Sequence, residues 1–453
     1  MRRVVKVSRI RIIITIIVVV LTTLLTGCTG KEPNEIAYVV ALGIDSTDDD
    51  NYKITIQYAN TTQISGGASE SGGKAGSEIV DNVTIEAPNI YAGVGLANNI
   101  VSKSFSMSHA KLIVFSKEIA EKGVKDMIET LVRSEEIRPD VFIAVANTTA
   151  NDYLTSVNPE MEVNPAQYYQ LIYQKNQLVG IPDGQLREFF TGLYTDNYDS
   201  ILPIAGVIEE SGGNSQNDDK GQSKDGQNEG SEGSSESLDS FESKNSDENE
   251  KEKDAEKNTS KYEYDIKNYV GGETAIEKKN KAEAIGAAVF EKDKMVGELG
   301  EVETEICKML KGDYSYSYLT YYNNDTPDIP ITVKTTQQKK PKYKIDTDKK
   351  TVDIELYIES DLYSLPSDYN VENKIEDFER DVANYTSSAC TEFINNFTKK
   401  YNSDILKLSE KVKYKFLTNN QYNWFKKNVG WSEYKFSVCT NFKVRRTGLI
   451  VRE

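Results

Sequence analysis

Two apolar runs, residues 36–42 and 52–58, flank an acidic turn, and the second, Tyr52-Lys53-Ile54-Thr55-Ile56-Gln57-Tyr58, alternates apolar and polar side chains. Period two over that length predicts a β-hairpin. Further strands are expected at 83–85, 111–115, 141–145 and 201–208. Between them, Pro88 opens an expected helix reaching residue 102, and Ala120, Val124, Met127, Ile128 and Leu131 recur at helical spacing across a break at Gly123. Helical stretches at 165–175 and 185–193 follow. Beyond residue 283 the pattern predicts a hairpin, 285–290 and 295–299, around a Lys292-Asp293-Lys294 turn, then a short helix over 301–311 and an alternating strand at 352–358. A long helix from 372 to about 401 carries Ile375, Phe378, Val382, Tyr385, Ala389, Phe393 and Phe397 on one stripe, so it should lie across a sheet. Tyr434, Phe436, Val438, Thr440, Phe442 and Val444 alternate with polar residues, giving a strand with one apolar face.

The periodicity stops at residues 211–260, where fourteen acids and six lysines mix with Gly, Ser, Asn and Gln and the only apolar side chains are Leu238, Phe241 and Ala255. Such a composition cannot bury enough surface to offset its ordering entropy, so a disordered, self-repelling linker is expected. The expected organisation is therefore α+β: two mixed α+β modules with largely antiparallel or mixed sheets flanked by helices, over 28–210 and 283–453, with the linker at 211–265 between them. The second module divides further, as an option, at about residue 330.

At the front, Arg2, Arg3, Lys6, Arg9 and Arg11 precede an apolar run from 12 to 25. These are the n-region and h-region of a signal peptide, residues 1–27. About fourteen residues rise only about 21 Å as a helix, short of the roughly 30 Å a spanning helix must cross. Leu25-Thr26-Gly27-Cys28 follows directly and resembles the bacterial lipobox, in which the thiol is acylated and the chain is cut between Gly27 and Cys28. Cys28 is thus the expected lipidation site, and everything after it is expected outside the cytoplasmic membrane.

The formal charge is −17, and −22 once residues 1–27 are removed, which argues against a nucleic-acid partner. Residues 390–453 run the other way, with a net of +8, a basic pole that reads first as a solvated surface and, as the alternative, suits anionic headgroups or an acidic partner. Cys307, Cys390 and Cys439 are too few and too far apart for a disulfide framework; buried free thiols are expected, with a Cys390–Cys439 bridge the alternative.

Catalytic chemistry has few carriers. His109 is the one histidine in 453 residues, which removes multi-histidine metal sites and leaves a structural ring at a strand entrance, bonded to a backbone carbonyl. Gly93-Val94-Gly95-Leu96-Ala97-Asn98 lacks the third glycine of a dinucleotide fingerprint, and Gly72-Gly73-Lys74-Ala75 lacks two elements of a phosphate loop. Asp45, Asp48, Asp49 and Asp50 lack the spacing of a calcium loop and read as a solvated turn. Tyr314, Tyr316 and Tyr318 are expected on one strand face, as sheet packing or as a platform for a ring-bearing ligand. No cofactor, metal or catalytic set is expected.

Several stretches together resemble the C subunit of spore germinant receptors, the GerA-type lipoprotein family of endospore-forming bacteria. They are Ile36-Ala37-Tyr38-Val39-Val40-Ala41-Leu42-Gly43-Ile44-Asp45, His109-Ala110-Lys111-Leu112-Ile113-Val114-Phe115, Ile137-Arg138-Pro139-Asp140, the run Ala287-Ala288-Val289-Phe290-Glu291-Lys292-Asp293-Lys294-Met295-Val296-Gly297, and Val444-Arg445-Arg446-Thr447-Gly448-Leu449-Ile450. The resemblance implies a non-enzymatic lipoprotein on the outer face of the spore inner membrane. Its implied partners are two integral-membrane subunits, an A-type and a permease-like B-type, with which it responds to nutrients. Only Cys28 carries over with a definite chemical role. A solute-binding lipoprotein of an uptake system is the alternative, and an envelope hydrolase a third reading.

Overall fold

The structure, a computed structural model, describes residues 13–17, 35–49, 51–59, 80–159, 162, 164–174, 180–195, 199–208, 268–274, 280–323, 326–364 and 374–447. Gly27 and Cys28, where cleavage and lipidation are expected, Asp50, the Gly72-Gly73-Lys74-Ala75 stretch and the acidic segment expected as a linker lie outside the described residues.

A nine-stranded mixed sheet is built from β1 (Ile36–Ser46), β2 (Tyr52–Ala59), β3 (Val80–Ala87), β4 (Ser104–Ser106), β5 (Leu112–Ser116), β6 (Phe142–Ala146), β7 (Ile201–Val207), β8 (Ala282–Glu291) and β9 (Lys294–Leu299). Its order is β3-β2-β1-β5-β6-β7-β8-β9, with β4 beside the start of β1. The centre, β1-β5-β6-β7, is parallel, and antiparallel hairpins close both sides. Parallel neighbours need crossovers, and helices supply them on both faces. One face buries Leu42, Ile44, Ile113, Phe115, Ile143 and Val145 beneath α1 (Ile90–Ala97), α2 (Lys117–Lys122) and α3 (Lys125–Val132). The other buries Val40, Ala41, Leu112, Val114 and Ala144 beneath α4 (Ala150–Ser156) and α5 (Pro165–Gln174). A register shift between Val39 and Ala41 explains why Val40 and Ala41, though adjacent, face the same side. The expected break at Gly123 is present, where φ is +125° and α2 ends.

Strands β8 and β9 had been expected to open the second module. Instead, β8 pairs antiparallel with β7 along Ile201–Val289 to Val207–Ala282, and completes the first sheet. The segment from 208 to 281 is thus a long connection between adjacent strands. Loop-closure entropy rises by only about 0.6 kcal/mol per doubling of length, so such an insertion costs little.

After α6 (Leu186–Leu193) in the first part and α7 (Glu301–Lys311) following β9, a five-stranded sheet is formed by β10 (Tyr316–Asn323), β11 (Thr326–Gln337), β12 (Lys342–Asp346), β13 (Thr351–Ser364) and β14 (Lys435–Arg446). β14 runs parallel to almost the whole of β13, so β11 and β12 share the opposite edge of that strand. Across one face lies α8 (Ile375–Tyr401), the long helix expected from the sequence, burying Phe378, Val382, Cys390, Phe393, Ile394 and Phe397. The remaining chain forms α9 (Leu408–Lys411) and α10 (Asn419–Asn428). One core joins the two sheets: Ile201, Ala287, Val289 and Leu299 pack with Cys307 and Leu310 of α7, and these with Val352, Ile354, Phe393 and Trp431.

Helix α8 also covers the free edge of β14. Asn395, Thr391, Ser387 and Glu379 receive the backbone N–H groups of Phe436 (3.1 Å), Val438 (3.0 Å), Thr440 (2.9 Å) and Val444 (2.9 Å). Four helical residues rise about 6 Å and two strand residues about 6.6 Å, so one side chain per turn meets alternate amides. At the intervening step stands Ala383, packed in one apolar cluster with Phe442. An edge strand offering unpaired amides is a template for aggregation, and this helix removes it.

Candidate functional site

The residues singled out in the sequence do not converge. His109 ends a short 3₁₀ turn ahead of β5; its Nδ1 lies 3.0 Å from the Ser108 hydroxyl and its ring stands edge-on to Tyr38 at 4.8 Å. It is exposed, and these partners are a hydroxyl and an aromatic ring in place of the expected carbonyl. Gly93 and Gly95 lie inside α1, where a Cβ on Gly93 would meet Ile54 Cδ1 at 2.6 Å. Gly93 therefore serves close packing of helix on strand. Asp45 departs from the solvated-turn reading. It is buried, and its carboxylate accepts from Ala150 N (2.6 Å) and Asn151 N (3.0 Å) at the start of α4. Burial pushes this carboxyl up, against the pull of those two amides.

Cys307 and Cys390 are buried and unbridged, and burial pushes their thiols up to about 11 and about 12. Cys439 is also unbridged but exposed, because it points from the polar face of β14. Among the tyrosines, Tyr316 and Tyr318 share the open sheet face with Tyr363, Tyr318 standing edge-on to Tyr363 at 5.4 Å, and the Lys334 ammonium lies 4.5 Å from the Tyr316 ring centre. Tyr314 precedes β10 and turns inward instead.

Tyr314 lines a highly charged cavity of about 340 Å³ where the two sheets meet. Its wall brings Asp183, from the loop before α6, and Glu188, from the first turn of α6, opposite Lys308 and Lys311 of the last turn of α7, with Asp313 beyond the helix end. Lys308 is buried and donates to the Ile181 carbonyl at 3.0 Å, a direct tie between the first sheet's loops and α7. Burial lowers the Lys308 pKa and raises that of Asp183. Beneath the cavity, Tyr314 donates to Glu305 at 3.1 Å and contacts Thr335. Burial pushes Glu305 up to about 7, against hydrogen bonds from Ser317 and Tyr314 that pull the other way.

These groups can hold a polar solute bearing both signs of charge, and they pin the two sheets together. They contain no nucleophile with a base beside it, and no cluster of three or more His, Cys, Asp or Glu suited to a metal occurs among the described residues. No local pattern announces this cavity, because its lining residues lie on segments more than 100 positions apart.

Comparison with known proteins decides the family. Residues 30–207 match the model described as "Spore germination protein N-terminal domain", and residues 285–448 match "Spore germination B3/ GerAC like, C-terminal". The chain belongs to the spore germination GerAC family. The resemblance read from the sequence motifs is thereby shown: this is a family of spore germination proteins. GerAC-family relatives include "Spore germination protein KC" of Bacillus subtilis (strain 168), 26% identical over 174 residues, covering 35% of this chain and 42% of that protein. "Spore germination protein B3" of the same organism is 26% identical over 148 residues, covering 30% and 36%. The alignments thus span less than half the length of these relatives. A solved structure described as that of the GerBC protein superimposes with a TM-score of 0.48 at 15% identity, over 89% of this chain and 96% of that one.

The first family match ends with β7 and the second begins at residue 285, within β8, yet β8 belongs to the first sheet. The two GerAC parts are interlocked at that strand pair.

Proposed function

We propose that the protein is the lipid-anchored C subunit of a nutrient germinant receptor, held on the outer face of the spore inner membrane through Cys28. It acts through contacts with an A-type and a permease-like B-type integral-membrane subunit. Membership of the GerAC family behind a Leu25-Thr26-Gly27-Cys28 tetrad is the observation that carries this reading. Two or three acyl chains on one cysteine hold a protein far more firmly than a single reversible chain, each buried methylene adding about 0.8 kcal/mol. Affinity purification from dormant spores should recover two multi-spanning proteins with the chain, and Cys28→Ala should release it from the membrane fraction. Unchanged membrane retention in that variant, or unchanged germination to every nutrient in a deletion strain lacking redundant receptors, would overturn the reading.

The mixed-charge cavity at the sheet junction favours a second reading, a solute-binding lipoprotein. That reading requires a zwitterionic solute to raise the melting temperature of the protein, and Lys308→Met to remove the effect.

A further inference from the structure

The C-terminal lobe between α9 and β14 is unusual in what it leaves in solvent. Tyr414, Leu417 and Trp424 are 81%, 95% and 69% exposed, and all three fall within eleven residues. Their neighbours in sequence do the structural work instead. Phe416 packs on Tyr422 and Phe425, and Phe425 stands edge-on to Trp431, which is 1% exposed. The lobe is therefore an ordered platform, fixed from beneath by Phe416, Tyr422, Phe425 and Trp431.

Lysines alternate in sequence with the exposed apolar residues. Lys413 and Lys426 each lie 5.6 Å from the Tyr422 ring centre, one from the turn after α9 and one from α10, which brings the two segments side by side. From residue 407 to 427 there are six lysines and one acid, in a chain of net charge −17. The ammonium of Lys411 lies over the Tyr343 ring, and that of Lys415, an exposed residue, donates to the Ile345 carbonyl. Lys413 and Lys427 are exposed.

An exposed Trp, Tyr and Leu on a lysine-rich segment have the composition of a surface that enters the headgroup layer. The aromatic rings sit at the apolar–polar boundary, the leucine reaches the acyl region, and each lysine near anionic lipid adds attraction. A protein partner with an acidic groove would satisfy the lysines but would need to bury a protruding leucine and tryptophan; a lipid layer accepts both without a matched shape. We propose that this lobe is a second membrane contact, docking on anionic lipid through Leu417, Trp424 and Tyr414 with Lys413 and Lys427 at the headgroups. It rests on the lipid-anchored reading for its setting: the acyl chains at Cys28 hold the protein to the membrane, and the lobe sets which face of the second sheet lies against it.

The chain has two tryptophans, the exposed Trp424 and the buried Trp431, so emission separates docking from folding. The full chain, isolated from membranes, is placed in nanodiscs of phosphatidylglycerol and phosphatidylcholine carrying brominated acyl chains. Expected are loss of the Trp424 emission with Trp431 unaffected, recovery of that emission in nanodiscs of phosphatidylcholine alone or at high salt, and recovery in a Lys413→Glu, Lys427→Glu variant and in Leu417→Asp. Trp424→Phe should abolish the quenchable component. Protein that co-elutes with the discs while Trp424 stays unquenched, or is quenched equally in the charge-reversed variant, overturns the docking lobe and leaves the anchor standing. Protein that fails to co-elute counts against the anchor instead; the same protein is then mixed with excess brominated anionic vesicles, where absent quenching overturns the lobe as well.

Discussion

Asn395 of α8 pairs with Phe436 of β14 as a neighbouring strand would: its side-chain amide donates to the Phe436 carbonyl at 3.0 Å while its carbonyl accepts the Phe436 N–H at 3.1 Å. Both backbone groups lie beside a buried aromatic ring, Phe436 being 1% exposed, where water cannot replace a lost partner cheaply. Asn395→Ala should therefore lower stability by about 2–3 kcal/mol in urea unfolding and promote self-association at the opened edge. A change below about 0.5 kcal/mol would mean that the helix does not protect the strand.

The acids at the sheet junction set a pH dependence. Glu305 is raised to about 7 and Asp404, buried while accepting from Leu408 N and Ser409 N, to about 6, both chiefly by burial. A carboxyl whose folded pKa exceeds its unfolded value binds protons more tightly in the native state. Its contribution is thus most favourable at low pH and is lost as pH climbs from the ordinary carboxylate range, 4.5 for Glu305 and 3.8 for Asp404, through the folded values. Stability should fall between about pH 5 and pH 7.5, and Glu305→Gln should flatten that fall and stabilise the protein at the upper end by about 2–3 kcal/mol. Identical pH profiles for the two proteins would refute the assignment.

Gly206 in β7 tests the interlock around the β7–β8 pair. A Cβ there would lie 2.1 Å from the Gly271 carbonyl carbon and from Gly272 N, both backbone atoms. The crossing segment is held by Gly271 N to Ile285 O (3.0 Å) and Asn147 Nδ2 to Gly271 O (2.6 Å), so it has little room to retreat. Gly206→Ala should cost about 3 kcal/mol, at the top of the range for overpacking, and open new limited-proteolysis cuts in the segment around Gly271. A variant with wild-type melting and digestion would show that the segment moves freely.

Thiol reactivity should divide cleanly. In native protein, iodoacetamide should label Cys439 and leave Cys307 and Cys390 untouched until unfolding, since both are fully buried with thiols pushed up to about 11 and about 12. Peptide mass spectrometry reads the order, and early labelling of Cys390 would contradict the packing of α8 on its sheet.

Much of the local structure is legible in the sequence. The hairpin at Ile36–Ser46 and Tyr52–Ala59, the Gly123 break, the 301–311 helix, the long α8 and the alternating β14 all follow from period two, period 3.6 or a helix breaker. The expected helix over 88–102 ends at Ala97, and α4, α9 and α10 carry too short or too polar a pattern to announce themselves. The α8 residues that face β14 show a second limit. Glu379, Ser387, Thr391 and Asn395 recur at helical spacing as plainly as the apolar stripe does, but a polar stripe ordinarily means solvent.

Side-chain periodicity is a property of neighbours in the chain, so it reports which residues form strands and helices and which face of each is apolar. The family motifs and the Leu25-Thr26-Gly27-Cys28 tetrad are likewise contiguous and legible there. Strand partnership is different: β8 joins β7 across a gap of more than seventy residues, and Lys308 meets Ile181 across more than a hundred. Those choices depend on total burial and on where unpaired backbone and charge can be satisfied in three dimensions. The interlocked sheets, the mixed-charge cavity and the covered edge of β14 therefore became visible only in the folded chain.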